Sequence, residues 1–170
     1  MIFLSIGSNL NSEFGNKITN IKKTVENLKK NNIEVVKCSS FYETPSYPDK
    51  NNPKFFNIIV EIKYEKKPEL LLENILLIEK KMGRIRKKKN EPRICDIDII
   101  SFNKLIVNSD QLKIPHPSTS NRNFVLFPLK EICPNWTHPI TNVNIDILIK
   151  NLSHTARNEI TRMNESDILL

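Results

Sequence analysis

An α+β sandwich, with helices packed on an antiparallel or mixed sheet, is the fold class this sequence predicts, and three observations predict it. Apolar residues alternate in short runs rich in β-branched and aromatic side chains, and they recur at helical spacing in two longer segments. The segments succeed one another as strand, helix, strand, strand, helix, strand, the order of a split βαβ arrangement. A chain of 170 residues fits this as one domain and can bury a core without metal or disulfide support.

The opening MIFLSIGSNL reads as the first strand, too briefly apolar to span a bilayer and without a basic leader. Loop chemistry follows in SNLNSEFGN, and Ile18, Ile21, Val25 and Leu28 then mark an amphipathic helix. NNIEVVKCSSFYE is the next strand. TPSYPDKNNPKFF carries Pro45, Pro48 and Pro53 with two adjacent asparagines, which predicts a long, mobile loop. FFNIIVEIKYE alternates and can pair antiparallel with the strand before that loop. Pro68 opens the second helix, which stops at Lys80, Lys81 and Gly83. RIRKKKNEPR is a charged loop, ICDIDIISF a strand and NKLIVNSD a short strand after a turn. Through KIPHPSTSNRNFVLFPLKEICP, proline punctuation predicts loops around one or two short helices, and VNIDILIKNL is a last amphipathic piece.

Lys and Arg total 26 against 19 Asp and Glu, and the net charge of +7 suits an anionic partner, either nucleic acid or a phosphorylated small molecule. Cys38, Cys95 and Cys133 are widely spaced and odd in number, which predicts reduced thiols that serve as small core hydrophobes in a cytoplasmic protein. The only glycines are Gly7, Gly15 and Gly83, so neither a P-loop nor a GxGxxG motif can be written. Any nucleotide must be held by side chains and metal.

Asp96 and Asp98 carry the chemistry. On an extended strand they share a face with Cα atoms about 6.6 Å apart, close enough to repel unless a cation intervenes. Mg²⁺, a hard ion that prefers oxygen ligands, fits the pair. The same pattern also suits two solvent-facing positions on a half-buried strand. Arg84, Arg86, Lys87, Lys88, Lys89 and Arg93 precede the pair, and a basic loop beside a carboxylate site is what a magnesium-bound polyphosphate needs. The bland counterpart is a solvated charge run, which accounts for the lysines better than for the spaced arginines. His116 sits between two prolines, Arg122 lies close to Phe124, and Asn57 is an amide in an apolar strand that needs a partner when buried.

With these residues laid out, the chain resembles the 6-hydroxymethyl-7,8-dihydropterin pyrophosphokinase family of folate biosynthesis. The matching pieces, in family order, are IGSNL, SSFYETP, FFN, IEKKMGRIR, PRICDIDI and IPHPSTSNRNFVLFPLKEICP, and they cover the chain to about residue 150. The resemblance implies a ferredoxin-like three-layer α/β/α sandwich with a mainly antiparallel central sheet, in one domain over residues 1–170 with the tail 151–170 unassigned. It also implies transfer of pyrophosphate from MgATP to the pterin's hydroxymethyl group, with release of AMP.

Carried over by position, Asp96 and Asp98 would ligate two Mg²⁺ ions. Arg84, Arg86, Arg93 and Arg122 would neutralise ATP phosphates, with Arg84 and Arg93 also catalytic, and His116 would contact the same phosphates. Glu79 and Ile99 would line the adenosine pocket. Thr44, Pro45 and Asn57 would read the pterin edge beside Asp96, while Phe55 and Phe124 sandwich its ring. Many members carry Arg-Trp-Gly where this chain has Lys89, Asn90 and Glu91, so the tryptophan that covers the pterin is missing; Leu76, Gln111 and Lys113 differ from some relatives near the adenosine pocket.

Two other classes fit parts of the pattern. An RNA-binding module would use the charge, but the loop from Arg84 to Arg93 has no aromatic residue to interleave with its basic ones. A two-metal phosphohydrolase would use the paired carboxylates without a pterin acceptor. The expectation is a monomeric enzyme of small-molecule substrates, with no nucleic-acid or membrane partner.

Overall fold

The computed structural model describes residues 1–84 and 91–164. Its elements run β1 (Ile2–Ser8), α1 (Lys17–Lys30), β2 (Glu34–Cys38), β3 (Tyr42–Thr44), β4 (Phe55–Lys63), α2 (Pro68–Lys81), β5 (Asp96–Phe102), β6 (Val107–Asn108), β7 (Lys113–Ile114), α3 (Asn123–Ile132), α4 (Ile145–Asn151), α5 (His154–Asn158) and β8 (Thr161–Arg162). The main sheet has the order β5-β1-β4-β3-β8, with β2 also on β4, and its pairings are antiparallel. A small hairpin of β6 and β7 stands apart.

Alternation along the central strands divides the core in two. Ile2, Leu4 and Ile6 of β1 and Ile58, Val60 and Ile62 of β4 face α1 and α2, where they meet Ile18, Ile21, Leu71, Ile75 and Ile78. Phe3, Ile59 and Ile100 face the other way, onto Val125, Leu126 and Leu129 of α3 and Ile145 and Leu148 of α4. Helices on both faces of an antiparallel sheet make the expected α/β/α sandwich. A register shift between Phe3 and Leu4 leaves Ile100 without a partner on β1, so Phe102 packs with the first cluster although strict alternation would send it to the second.

The helix starts follow local chemistry. Asn16 caps α1 through its side-chain oxygen, which accepts from Thr19 N–H at 2.9 Å, and Asn144 does the same for α4 from Asp146 N–H at 2.8 Å. Pro68 occupies the first turn of α2, where its missing donor costs nothing.

Two expectations are corrected. The strand expected over NNIEVVKCSSFYE is broken into β2 and β3; Ser39 carries the ladder between them, donating to Ile59 O and accepting from Ile59 N–H at its hydroxyl, each 2.9 Å. The proline-punctuated stretch holds a short helix as expected, the ten-residue α3, with Pro128 inside it. A mid-helix proline costs about 3 kcal/mol, and burying Val125, Leu126 and Leu129 completely offsets that at about 1.5–3 kcal/mol each. Of the cysteines only Cys95 is a core residue, its thiol pushed up to about 12 by burial, while Cys38 is exposed and Cys133 partly so.

His138 anchors the loop between α3 and α4. Its Nδ1 accepts from Ile140 N–H and Thr141 N–H, both at 3.3 Å, and its ring meets Trp136 edge-on with centroids 5.8 Å apart. Burial lowers its pKa below the ordinary 6.5, so the folded chain keeps it neutral where the unfolded chain protonates it. Stability is therefore full above pH 6.5 and falls as the pH drops from there toward the folded-state pKa, because the unfolded state binds the extra proton. His138→Asn, which offers an amide oxygen near the Nδ1 position, is expected to flatten this slope in urea midpoints measured from pH 8 to pH about 5; an unchanged slope would contradict the assignment.

Candidate active site

The site is built on one row across the sheet. Gly7 on β1 stands opposite Asn57 on β4 and Asp96 on β5, so an amide and a carboxylate flank a residue with no side chain. A Cβ on Gly7 would lie 2.8 Å from Asn57 Oδ1, so the glycine makes room for that amide. Asn57 is 4% exposed and donates through Nδ2 to Thr44 Oγ1 at 3.2 Å, across the β3–β4 pairing that also places Thr44 opposite Phe55.

Asp96 and Asp98 share one face of β5, as the spacing predicts, and both are half-buried. Their mutual repulsion is answered by separate cations. Asp96 accepts from Arg84 Nη1 at one oxygen and pairs with Arg93 Nη2 at 2.7 Å at the other. Asp98 Oδ2 pairs with Arg122 Nη1 at 3.0 Å and lies 3.9 Å from His116 Nε2.

Beneath them Glu79 of α2 is 2% exposed. Its Oε1 accepts from Ile97 N–H, between the two aspartates, at 2.9 Å and from Arg84 Nη1. Burial works against the Arg84 charge, but Asp96 and Glu79 outweigh it and hold the guanidinium more firmly protonated than usual. Burial also lowers the His116 pKa, against the pull of Asp98, and its Nδ1 accepts from Ser118 N–H at 3.1 Å. That bond leaves Nε2 as the protonated nitrogen, facing Asp98.

A cavity of about 370 Å³ adjoins this cluster. Apolar side chains of Leu72, Ile75, Leu76, Ile97, Ile99 and Leu112 form much of its lining, with Asp98, Gln111, Lys113 and His116 as the polar residues. Mostly apolar walls with a few convergent polar groups are the usual make-up of a small-molecule site. Ile99 is in its lining, and Glu79 is not but is turned under the strand, where it holds Arg84.

On the other side, Arg93 lies over the Phe55 ring at 5.0 Å and Arg122 over the Phe124 ring at 5.4 Å. Two aromatic faces and the Asn57–Thr44 pair thus belong to the same neighbourhood as the carboxylates. Pro45 begins the loop that follows β3. Its ends are tied: Ser46 Oγ donates to Pro53 O at 2.6 Å, and Asn9 Nδ2 donates to both, at 3.2 and 3.1 Å. Asn9 also accepts from Arg93 N–H at 2.6 Å and donates its own N–H to Arg93 O at 3.0 Å, so one buried amide joins the proline-rich loop to the arginine. The sequence reading gave Gly7 and Asn9 no role; the signal was a glycine followed by an asparagine just where the first strand ends. Arg86, like Lys89 and Asn90, lies outside the described residues.

Fold and site together define an α+β protein whose sheet carries a carboxylate–arginine cluster beside an apolar cavity, with Phe55 and Phe124 each under one of its arginines. Comparison with known proteins makes this specific. Residues 3–134 match the model of the family 7,8-dihydro-6-hydroxymethylpterin-pyrophosphokinase (HPPK), and the chain belongs to that family.

It is 36% identical over 139 residues to the 2-amino-4-hydroxy-6-hydroxymethyldihydropteridine pyrophosphokinase of Aquifex aeolicus, covering 82% of this chain and 84% of that protein. It is 38% identical over 144 residues to a folic acid synthesis protein of Pneumocystis carinii, covering 85% of this chain but only 19% of that longer one. The crystal structure of wild-type HPPK-DHPS of Plasmodium falciparum superposes with a TM-score of 0.70 at 18% identity, over 95% of this chain and 47% of that one, a likeness of fold.

Gly7→Ala is expected to cost about 1–3 kcal/mol in urea unfolding, as overpacking does. Removing the clashing amide in Gly7→Ala/Asn57→Ala should recover part of that loss relative to the sum of the single variants. Strictly additive losses would show that Gly7 is not there to admit Asn57.

Proposed function

We propose that this chain transfers the pyrophosphoryl group of ATP to the 6-hydroxymethyl oxygen of 6-hydroxymethyl-7,8-dihydropterin and releases AMP. The observation that carries the reading is the position of Asp96 and Asp98, each with its own arginine, between a cavity fit for a nucleoside and a slot fit for a flat heterocycle. The nucleoside occupies the cavity against Ile99, Leu72 and Ile75. Arg84, Arg93, Arg122 and His116 take the phosphate oxygens, His116 as a neutral donor through Nε2–H. Arg86 is assigned to the same task from the family resemblance. Asn57 and Thr44, with the backbone at Pro45, hydrogen-bond the pterin edge, and its ring stacks on Phe55 and Phe124.

The donor set suits magnesium. Two carboxylates share a face, and among the described residues no group of three or more His, Cys, Asp or Glu side chains could hold a metal alone. That fits a cation whose remaining ligands are phosphates and water, as is usual for Mg²⁺, rather than one resident in a protein cage. Asp96 and Asp98 would hold two such ions, which supply charge neutralisation on the phosphate oxygens when bound.

The chain's own residues then act by placement. The alcohol oxygen forms a bond to the β-phosphorus as the bond from that phosphorus to the AMP oxygen breaks, so the acceptor must sit in line behind it. Stacking and the Asn57–Thr44 edge fix the acceptor. The arginines hold the triphosphate so that charge moving onto AMP meets donors already aimed at it. Three unpaired cysteines support a reducing, cytoplasmic setting. Among the described residues no helix is long and apolar enough to cross a membrane.

Incubation with MgATP and 6-hydroxymethyl-7,8-dihydropterin should yield AMP and the pterin diphosphate in equal amounts; nucleotide hydrolysis without the pterin would overturn the reading. Asp96→Ala and Asp98→Ala are each expected to lower kcat by about a hundredfold or more with unfolding midpoints close to wild type. A variant that retained near wild-type turnover would remove that carboxylate from the site. Arg93→Ala should depress kcat more than it raises the KM for the pterin, as loss of a partner of the charged transition state does; matching changes in both would count against that role.

A further inference from the structure

The family match ends at residue 134, yet the chain beyond it returns to the substrate slot. We propose that residues 153–163 form a brace that sets the spacing of that slot by tying its two walls together, with Arg162 and Asn123 as positioning residues. The proposal rests on the pyrophosphokinase reading for the slot between Phe55 and Phe124 and for the pterin it holds.

One wall is β3 and β4, with Thr44, Phe55 and Asn57. Strand β8 pairs along the outer edge of β3, Tyr42 opposite Arg162 and Glu43 opposite Thr161, and Met163 N–H donates to Phe41 O at 2.9 Å. Without β8, β3 would be a three-residue strand with an open edge just before Thr44.

The side chain of Arg162 adds a clip. Its Nε and Nη2 donate to Ser40 Oγ at 3.0 and 2.8 Å, and Nη2 donates to Glu131 Oε1 of α3 at 3.2 Å. Glu131 also accepts from Ser40 N–H at 3.1 Å, Ser40 Oγ at 2.8 Å and Tyr42 Oη at 2.8 Å. Burial and the Glu131 bond hold the Tyr42 phenol protonated, so this donor does not titrate near neutrality.

The other wall is the start of α3, with Arg122 and Phe124. Asn123, between them, donates through Nδ2 to Ala156 O of α5 at 2.6 Å. Ala156 in turn packs on the second core cluster. Glu159, between α5 and β8, pairs with Lys50 on the proline-rich loop. A single short stretch therefore holds the edge of one wall, the first turn of the other and the loop after Pro45. Exposed pairs of this kind contribute little singly. Spacing matters because dispersion contact across a stacked slot loses about a quarter to a half of its strength for a gap of about 0.5–1 Å.

The test uses the full chain with Arg162→Ala/Asn123→Ser, in which serine still can accept from Phe124 N–H but is too short to reach Ala156 O, together with Arg162→Lys. Amide hydrogen exchange of the free protein should speed up by about tenfold in residues 42–54 and 123–126 while β1 and residues 58–62 of β4 keep their wild-type rates. The KM for the pterin should rise about fivefold or more, with the KM for ATP within about twofold of wild type and with Arg162→Lys recovering part of the difference. Unchanged exchange in the two walls, a uniform rise across the sheet, or parallel shifts of both KM values would overturn the brace. Should wild-type protein form no AMP with the pterin, the function reading fails, and the exchange result alone still decides whether the segment braces the slot.

Discussion

Two like charges on the first and third residues of one strand are the constraint to which the site answers. Asp96 and Asp98 are half-buried on the same face of β5, where repulsion is screened less than in open solvent. Each therefore needs its own cation, and the fold delivers one from each direction: Arg84 from the end of α2, Arg93 from just ahead of β5, and Arg122 from the turn that leads into α3. Glu79 adds a deeper anion that keeps Arg84 in place and ties α2 to the Ile97 backbone. The result is a cluster in which Asp96, Asp98 and Glu79 are matched by Arg84, Arg93 and Arg122.

The sheet decides what lies on either side. Because β1 pairs with both β4 and β5, Gly7 sits between an amide and a carboxylate, and its missing side chain leaves the space that the Asn57 amide takes. Because β4 is longer than its neighbours on one side, it pairs with β3 at its start and with β2 at its end. The first half sets Phe55 and Asn57 opposite Thr44 and Tyr42 of β3, and the second half belongs to the core. Asn9 and the Arg162–Glu131–Ser40 group tie loops and edges to this frame with polar contacts rather than apolar ones, as suits segments that run over the surface.

Much of this was legible in the chain. Period-2 and period-3.6 patterns marked β1, α1, β4, α2 and β5, since each buries one face and therefore shows it. The DID spacing placed both carboxylates on one face before any partner was known. A short helix was expected where α3 lies, and it runs through Pro128 because burial of its neighbours outweighs the local breaker; the break between β2 and β3 was obscured because the Ser39 hydroxyl takes part in the pairing with Ile59.

What the sequence by itself determined was the main strands and helices β1, α1, β4, α2 and β5, the shared face of Asp96 and Asp98, and the family motifs, because these depend on residues close together along the chain. The tertiary structure alone decided which arginine serves which aspartate, that Glu79 lies under the strand rather than along the cavity, and that Gly7 and Asn9 belong to the site. It also decided that residues 153–163 return to the edge of β3. Apart from Arg93–Asp96 and Arg84–Glu79, three and five positions apart, these contacts join residues a dozen or more positions apart and are fixed by sheet register and helix packing, so no local pattern encodes the partner at the far end.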